Sequence, residues 1–433
     1  MISPPQRRRL GVPSAAALVV GNMIGAGVFT TSGYALAALG TPGRVLFAWA
    51  VGGVLALLGA ISYGALARRL PESGGEYFFL SRIVHPLAGF LAGWISLLAG
   101  FTAPTAVAAL ALQAYLAPTG EPTATPWIGT AAIVLAAGMH GWRLKRGVVM
   151  QNVAVLIKLA MILAFVVYGT AHLPPRASLA MESVPRFELG AFAVTLVYVS
   201  FCYSGWNAVV YLASEVRDPD RNLQRSILWG AGSVVLCYLA LNFVFVRSAP
   251  PGELAGRAEI GALAAEALGG TWLRRAVTVL VALALFTSIS AMVMAGPRVY
   301  ARMAEDGFFP RRFAAWRDVP RSAVALQALL AIGVVWISEL RQLLGTVGFT
   351  LSLSAAATVA SLMVLRRREG AERVPVPGYP WVPALFIVTT GAAAVFMALR
   401  EPRQALIGLA VIATGLPVYG WMSFSASGPP PSR

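Results

Sequence analysis

The sequence contains few charged residues for its length. Of its 433 residues only 12% are charged, whereas 58% are hydrophobic, and the mean hydropathy is +0.71. A soluble domain carries about 25% charged residues, so this composition excludes an ordinary soluble protein and indicates a chain surrounded by lipid. Lysine and arginine outnumber the acids by 34 to 18. They lie in short segments between apolar runs, which is typical of membrane topology rather than of nucleic-acid binding.

Cysteine is nearly absent. The two cysteines, Cys202 and Cys237, lie in apolar segments, which argues against a disulfide framework and a cysteine metal cluster. The sequence also offers no nucleophile–base pair, no metal-ligand spacing and no phosphate-binding loop. We therefore expect no enzyme activity, no cofactor and no metal. The N-terminal MISPPQRRRL leads into a long glycine-rich segment, so we expect no cleavable signal peptide.

No polar stretch is long enough for a separate soluble domain, so residues 1–433 are expected to form one membrane domain. The longest candidate, 248–273, would form at most a short amphipathic helix. A spanning helix needs about 20 mostly apolar residues. By this length criterion twelve segments qualify: 12–35, 44–67, 86–116, 125–140, 148–171, 189–213, 226–247, 274–303, 322–338, 340–365, 381–399 and 404–424. Only the polar stretch ISELRQ divides the ninth of these predicted spans from the tenth.

The basic residues predict which side of the membrane holds the chain ends. Twelve spans place both ends on one side. The ends and loops of that side carry 23 Lys and Arg, the opposite loops carry 10, and Lys158 lies within a span. Short cytoplasmic loops are enriched in Lys and Arg, so both termini are predicted to be cytoplasmic. The arginine-rich run 366–373 is interpreted as part of this pattern and as a lipid contact.

Two predicted spans are interrupted by glycines. The first contains NMIGAGVF at 22–29 and the sixth contains FCYSGWN at 201–207. A glycine inside a helix costs roughly 1 kcal/mol relative to alanine. These glycines could simply permit close helix packing. However, paired interruptions at corresponding positions of two halves favour a transporter's binding site.

The chemistry of such interruptions suits a free amino acid. Backbone N–H groups freed at the start of a half-helix attract an anion. Carbonyl groups freed at the end of the preceding half suit a cation. Two interrupted helices side by side could therefore bind the carboxylate and the ammonium of one amino acid.

Lys158 lies about ten residues into the fifth span, which is about 15 Å along a helix and near the middle of the bilayer. A cation at this depth is a functional hypothesis by default, because snorkelling suits helix ends better. Two roles remain open. The ammonium could tie the fifth helix to carbonyls of the broken first helix, or it could lose its proton on desolvation and couple transport to protons.

Several stretches resemble the amino acid–polyamine–organocation superfamily of permeases, in that family's order and over about residues 10–424. The closest resemblance is to the bacterial branch that is similar to the L-type amino acid transporters. The motifs are GNMIGAGVF in the first span, PESGGEYFFL at 71–80, YSGWNAVVYLASEVRDPDRNLQRSI at 203–227 and SAMVMAGPRVYARMAEDGFFP at 290–310.

The resemblance implies an all-α integral membrane protein of LeuT type. Two inverted repeats of five helices, at about 12–171 and 189–365, would precede two further helices at 381–424, and helices 1 and 6 would be broken. It places the substrate carboxylate at the first break and the ammonium at the second. The implied substrate-binding residues are Ile24, Gly25, Ala26, Gly27, Phe201, Cys202, Ser204, Gly205, Trp206 and Asn207.

Other residues receive roles from the same resemblance. Phe201 matches an aromatic gate, and Trp206 is either a gate or ordinary packing. Lys158 matches a lysine that stands in for sodium in proton-linked or sodium-independent relatives, with Ser288 or Ser290 as hydroxyls near that cation. The chain departs from the family pattern at Gln224, which replaces a proline, and at Gly296-Pro297, which replace small hydroxyl residues.

Three polar residues receive ordinary interpretations. Glu76 and Glu215 are expected to form loop salt bridges at cytoplasmic helix ends, and His140 is expected at the membrane interface.

The expected function is a secondary carrier that moves neutral L-amino acids by alternating access in a bacterial-type inner membrane. The pocket is expected to contain no fixed acid, since Asn207 is neutral, and Ala26 and Ser204 leave room for a modest apolar side chain. Exchange, with or without a proton, is favoured over sodium symport.

Two other functions stay open: a carrier for cationic amino acids or polyamines, and a membrane sensor that binds an amino acid without moving it. The expected partners are the amino acid and lipid, with protons as a candidate coupling ion. Neither a nucleic acid nor an obligatory partner subunit is expected.

Overall fold

The computed structural model describes residues 10–72, 74–117, 126–141, 147–175, 186–314 and 321–426. Within these ranges the regular structure is helical, apart from an isolated bridge between Leu10 and Val216. Some of the basic residues used to predict the topology, at 7–9, 143–146 and 433, lie outside the described residues.

The first five predicted spans overlap helices of the structure. An additional helix, α4, follows the second span and was not predicted. The elements are α1 (Val12–Met23), α2 (Gly27–Leu39), α3 (Pro42–Arg69), α4 (Gly75–Ile83), α5 (Pro86–Ile95), a π-helical segment (Ser96–Thr102), α6 (Ala103–Leu116), α7 (Trp127–Gly141) and α8 (Gly147–Ala171).

The remaining seven predicted spans also overlap helices. The ninth and tenth spans are separate helices, as predicted. The elements are α9 (Leu189–Tyr203), a 3₁₀ helix (Ala208–Glu215), α10 (Pro219–Phe245), α11 (Pro251–Leu254), α12 (Ile260–Glu305), a 3₁₀ turn (Arg311–Phe313), α13 (Arg321–Ile337), α14 (Leu340–Glu369), α15 (Trp381–Arg400), α16 (Pro402–Ala413) and α17 (Gly415–Ala426).

The segment 248–273 contains more helix than we expected. It holds α11 and the start of α12, and α12 is interrupted at Gly269 and Gly270. Gly270 has φ 68°, in the left-handed region that glycine adopts without a steric penalty. The polar residues of this segment therefore did not indicate a lack of helix, and parts of it are buried, among them Leu254 and Ile260.

Seven helices of the described chain are long and apolar enough to cross a membrane, and the bent pair α1–α2 makes an eighth. Shorter apolar helices account for the other predicted spans. Large apolar side chains also lie on the outer surface. Leu236, Trp272 and Leu406 are 71%, 73% and 65% exposed. Such surfaces suit a lipid environment, because lipid carries no penalty for apolar contact.

Contacts made by helices of the first five predicted spans have counterparts among the next five. α1 packs on α10, and α9 packs on α3. α6 packs on α7, and α12 packs on α13; likewise α1 contacts α8, and α9 contacts α14. In the last two cases the second pair lies five predicted spans after the first. In the first case α1 and α10, of spans 1 and 7, are replaced by α9 and α3, of spans 6 and 2, so each helix is exchanged for the one five spans away.

Polar contacts identify which segments share one end of the helix bundle. Leu10 pairs with Glu215 and Arg217 through backbone hydrogen bonds. Arg69 forms an ion pair with Glu369, 2.5 Å apart. Arg368 donates to the carbonyl oxygen of Ile83 over 2.6 Å. These contacts join chain segments that the sequence analysis had placed on one side. They also show that the run 366–373 contacts protein backbone, beyond its predicted role in topology and lipid contact.

Candidate substrate-binding site

The first predicted interruption is a break between two helices. α1 ends at Met23, and Ile24 has ψ 84°, outside the helical range. α2 begins at Gly27, with a 45° bend between the two helices. The Gly25 N–H donates to the Met23 carbonyl over 2.8 Å instead of continuing the helix ladder. The first helix is therefore broken within NMIGAGVF, where the sequence predicted the break.

The carbonyl groups freed at this break have cationic or hydroxyl partners. Lys158 Nζ donates to the Ile24 carbonyl oxygen over 2.9 Å, and the Lys158 side chain is buried. Tyr238 Oη donates to the Met23 carbonyl over 2.6 Å. The first of the two roles predicted for Lys158, tying the fifth span to the broken first helix, requires this contact.

The second interruption lies at the end of α9. Ser204 is extended with ψ 156°, and Gly205 has φ 103°. A Cβ on Gly205 would lie 2.8 Å from Asn22 Nδ2, so no larger residue fits there without a shift. Asn22 Nδ2 donates to the Gly205 carbonyl over 3.3 Å. The two breaks are therefore in direct contact.

Gly25 and Gly27, the two glycines of the first break, have different surroundings. A Cβ on Gly27 would lie 2.6 Å from Cys202 Sγ, so Gly27 permits the close approach of α2 and α9. A Cβ on Gly25 would lie 3.4 Å from Ser288 Oγ and meet no closer neighbour. The packing interpretation therefore applies to Gly27, whereas Gly25 leaves backbone open beside Ser288.

A cavity of about 130 Å³ lies between the two breaks. One water-sized group needs about 10–15 Å³ by this measure, so the cavity has room for a small organic molecule. The wall includes most of the residues predicted for substrate binding: Gly25, Ala26, Gly27, Phe201, Cys202, Ser204, Gly205, Trp206, Asn207 and Ser288.

Three predicted residues lie away from the cavity wall. The Ile24 side chain is fully buried in the core, and only its carbonyl takes part, through Lys158. Lys158 itself acts behind the break. Ser290 Oγ lies 2.7 Å from His140 Nε2, so it pairs with a half-buried histidine and not with the cavity. Of the two serines proposed for α12, the structure places only Ser288 on the wall.

The position of Trp206 is compatible with both interpretations, gate and ordinary packing. Its ring packs against Tyr63 with centroids 4.5 Å apart and planes 86° apart. It also lies on the cavity wall and is buried. Gly59 allows this packing, because a Cβ there would lie 2.8 Å from the Trp206 ring.

The sequence analysis missed the part of the wall that comes from the third span. Ser96, Gly100 and Phe101 line the cavity from the π-helical segment. π-helical turns occur frequently at functional sites, but their side-chain pattern does not distinguish them from an ordinary apolar helix. Tyr211 also lines the cavity, with its ring 6.2 Å from that of Phe101.

Two expectations about acidic groups were wrong. Glu76 does not form a loop salt bridge: it is buried, and its carboxylate accepts hydrogen bonds from Tyr63, Ser354 and Asn207. Glu76 also lies on the cavity wall, so the cavity does contain an acid. The cause is α4, which turns back into the protein after Gly74 and Gly75 instead of running through a solvated loop.

The break geometry determines what the cavity can bind. The first N–H groups of a helix have no partners within it, and α2 begins at the cavity with Gly27. The last carbonyl groups of a helix are likewise free of intrahelical partners, and α9 ends at the cavity with Tyr203. An anionic group and a cationic group on one small molecule would each find a suitable helix end.

These features define a helical, multi-pass membrane protein with a small-molecule cavity between two broken helices. The family model described as amino acid permease matches residues 10–422. The chain belongs to the amino acid permease family, and it is a transporter and not an enzyme.

Individual relatives resemble the chain along nearly its full length. The large neutral amino acids transporter small subunit 2 of Rattus norvegicus is 27% identical over 95% of this chain and 80% of its own. The Asc-type amino acid transporter 1 of Mus musculus is 28% identical over 95% and 81%. The serine/threonine exchanger SteT of Bacillus subtilis (strain 168) is 28% identical over 95% and 96%.

Proposed function

We propose that this protein is a sodium-independent carrier that moves neutral L-amino acids by alternating access, through exchange or together with a proton. The observation that carries the proposal is the hydrogen bond from Lys158 Nζ to the Ile24 carbonyl, 2.9 Å long. A fixed ammonium at the carbonyl end of the break supplies the positive charge that a sodium ion would otherwise bring. Transport then needs no sodium.

The proposed substrate lies between the two breaks. Its carboxylate binds the N–H groups at Gly25, Ala26 and Gly27, where the start of α2 carries partial positive charge. Its ammonium binds the carbonyl groups at the end of α9, around Phe201 and Gly205. The free amino acid supplies both charges on one carbon, which matches two helix ends that meet at one cavity.

The relatives support a neutral substrate and an exchange mode. One relative is named for large neutral amino acids, and another is named as an exchanger of serine and threonine. The wall supplies apolar surface for such side chains from Phe201, Phe101 and Met292.

We propose twelve spans in one membrane domain over residues 1–433, surrounded by lipid of a bacterial-type inner membrane. Two inverted repeats, at about 12–171 and 189–365, precede the helices at 381–424. The recurring helix contacts support the repeats, because equivalent pairs lie five spans apart. The contacts of Leu10 with Glu215 and Arg217, and of Arg69 with Glu369, support a common side for the N-terminal end and these loops. We propose that this side is cytoplasmic and that it also holds the C-terminus.

Reconstitution of the purified chain alone into liposomes tests this function. Labelled amino acids are offered outside vesicles that contain an excess of the same unlabelled amino acid, with sodium or choline as the cation and with or without a pH gradient. We expect accumulation of a neutral amino acid that does not depend on sodium. Binding without accumulation would indicate a sensor, and a requirement for sodium or for a second subunit would contradict the proposal.

A second candidate function is the transport of cationic amino acids or polyamines. It is favoured by Glu76, the acid on the cavity wall. Against it, the carboxylate already accepts three hydrogen bonds from neutral donors. Competition by arginine or a polyamine, with neutral amino acids inert, would establish this second function.

A further inference from the structure

Glu76 is a buried acid with no basic partner among the residues that the structure describes. Its side chain is 6% exposed, and no lysine or arginine of the described residues lies within ion-pair distance of it. Burying a charge costs several kcal/mol unless other groups compensate. The three hydrogen bonds to its carboxylate are therefore a specific arrangement that the fold maintains.

The three donors belong to three different elements. Tyr63 Oη of α3 donates to Oε1 over 2.5 Å. Ser354 Oγ of α14 donates to Oε2 over 3.0 Å. Asn207 Nδ2, which follows the second break, donates to Oε1 over 3.3 Å. Asn207 alone belongs to an unwound segment, so the carboxylate connects that segment to two regular helices.

Two glycines before Glu76 allow the chain to place its carboxylate inside the protein. Gly74 and Gly75 have φ 138° and 60°, which turn the chain into α4. A Cβ on Gly75 would lie 2.4 Å from the ring of Tyr211, so the second glycine also admits that cavity-lining side chain. Glu76 then falls in the first turn of α4, where the helix dipole favours an anion.

We propose that Glu76 is a positioning residue for transport: its carboxylate holds Asn207, and with it the second break, in the geometry that binds the substrate. The inference rests on the proposed function. Ordering of this backbone before the substrate arrives lowers the cost of binding. Loss of the carboxylate should therefore raise KM more than it lowers the maximal rate.

The test measures KM and the maximal rate of exchange in liposomes, with the neutral amino acid that the wild-type protein exchanges fastest. Glu76→Ala should raise KM about tenfold, the effect of losing a hydrogen bond to a charged group. Glu76→Gln should stay within about threefold of the wild type, because its amide oxygen still accepts from Asn207 and Tyr63. If Gln raised KM as much as Ala, the role would depend on charge and the proposal would be wrong.

Two serines of α14 provide a matched pair for the case in which Glu76→Ala does not fold. Ser354 donates to Glu76 and is not part of the cavity wall, whereas Ser361 donates to the Thr358 carbonyl. Both are buried. Ser354→Ala should raise KM by only about threefold, because Tyr63 and Asn207 still donate to the carboxylate. Ser361→Ala should leave KM unchanged. Equal KM values for the two variants would overturn the proposal.

Separate results would contradict the proposed transport function and the proposed role of Glu76. If wild-type protein exchanges no amino acid, the proposed function fails and this inference falls with it. If the wild type exchanges and a folded Glu76→Ala variant keeps its KM, only the role of Glu76 fails. A double variant with Asn207→Ala adds a further criterion: its KM should not exceed that of the more impaired single variant, because both changes remove the same contact between Asn207 and Glu76.

Discussion

Replacing Lys158 with methionine should stop most transport while leaving the protein folded. The Lys158 ammonium donates to the Ile24 carbonyl at the first break over 2.9 Å and is buried. Methionine has a similar length but cannot donate. The Ile24 carbonyl would then lose its charged partner, and the break would lose the contact that fixes it to α8.

The size of the effect follows from the kind of hydrogen bond. A hydrogen bond to a charged group contributes about 1.5–3 kcal/mol, and each 1.4 kcal/mol is about tenfold in an equilibrium constant. Lys158→Met should therefore lower exchange by about 10- to 100-fold. Removing the buried ammonium recovers its desolvation cost but leaves the Ile24 carbonyl without its partner, at a cost of about 1–3 kcal/mol. The two effects oppose each other, so the protein should stay folded.

Counterflow in liposomes measures the rate, and thermal unfolding of the purified variants measures stability. Tyr238→Phe is the matched control, because it removes a neutral hydrogen bond to the adjacent carbonyl of Met23. A neutral bond contributes only about 0.5–1.5 kcal/mol, so its effect should be smaller. Exchange at the wild-type rate by a folded Lys158→Met variant would refute the reasoning.

Three further predictions concern the breaks and the coupling ion. Gly27→Ala should lower stability by about 1–3 kcal/mol through overpacking against Cys202. Cys202→Ala in the same protein should recover only part of that loss in thermal unfolding, because the Cα of residue 202 still lies 3.1 Å from the added methyl group. Gly205→Ala should impair exchange even where the protein folds, since φ 103° and the contact with Asn22 leave no room for a methyl group; wild-type exchange would contradict this. Replacing sodium with choline should leave wild-type exchange unchanged, and a loss of activity would show that Lys158 does not substitute for that ion.

The sequence predicted those parts of the site that depend on backbone chemistry. NMIGAGVF and FCYSGWN were identified because glycine and serine interrupt apolar runs, and the structure unwinds at both. The depth of Lys158 in its span made it a functional hypothesis, and the structure places its ammonium at the first break. Such features are local, so they can be seen along a single stretch of sequence.

The rest of the site depended on which distant segments meet. Glu76 was assigned to a loop salt bridge because the sequence does not show that α4 turns inward and places the carboxylate beside Asn207, 131 positions further along the chain. Phe101 went unnoticed because a π-helical segment has no distinctive pattern of side chains. Ser288 and Ser290 were equivalent in sequence, and only the rotation of α12 placed one on the cavity and the other beside His140.

The sequence by itself determined that this chain belongs in a membrane, where its long apolar helices lie and where two of them break. Hydropathy and helix-breaking residues act over a few turns, so their effects can be read locally. Tertiary structure decided that the two breaks touch, that Lys158 meets one of them, and that a buried acid supports the other. These outcomes depend on helix packing, which brings together side chains that are far apart along the chain.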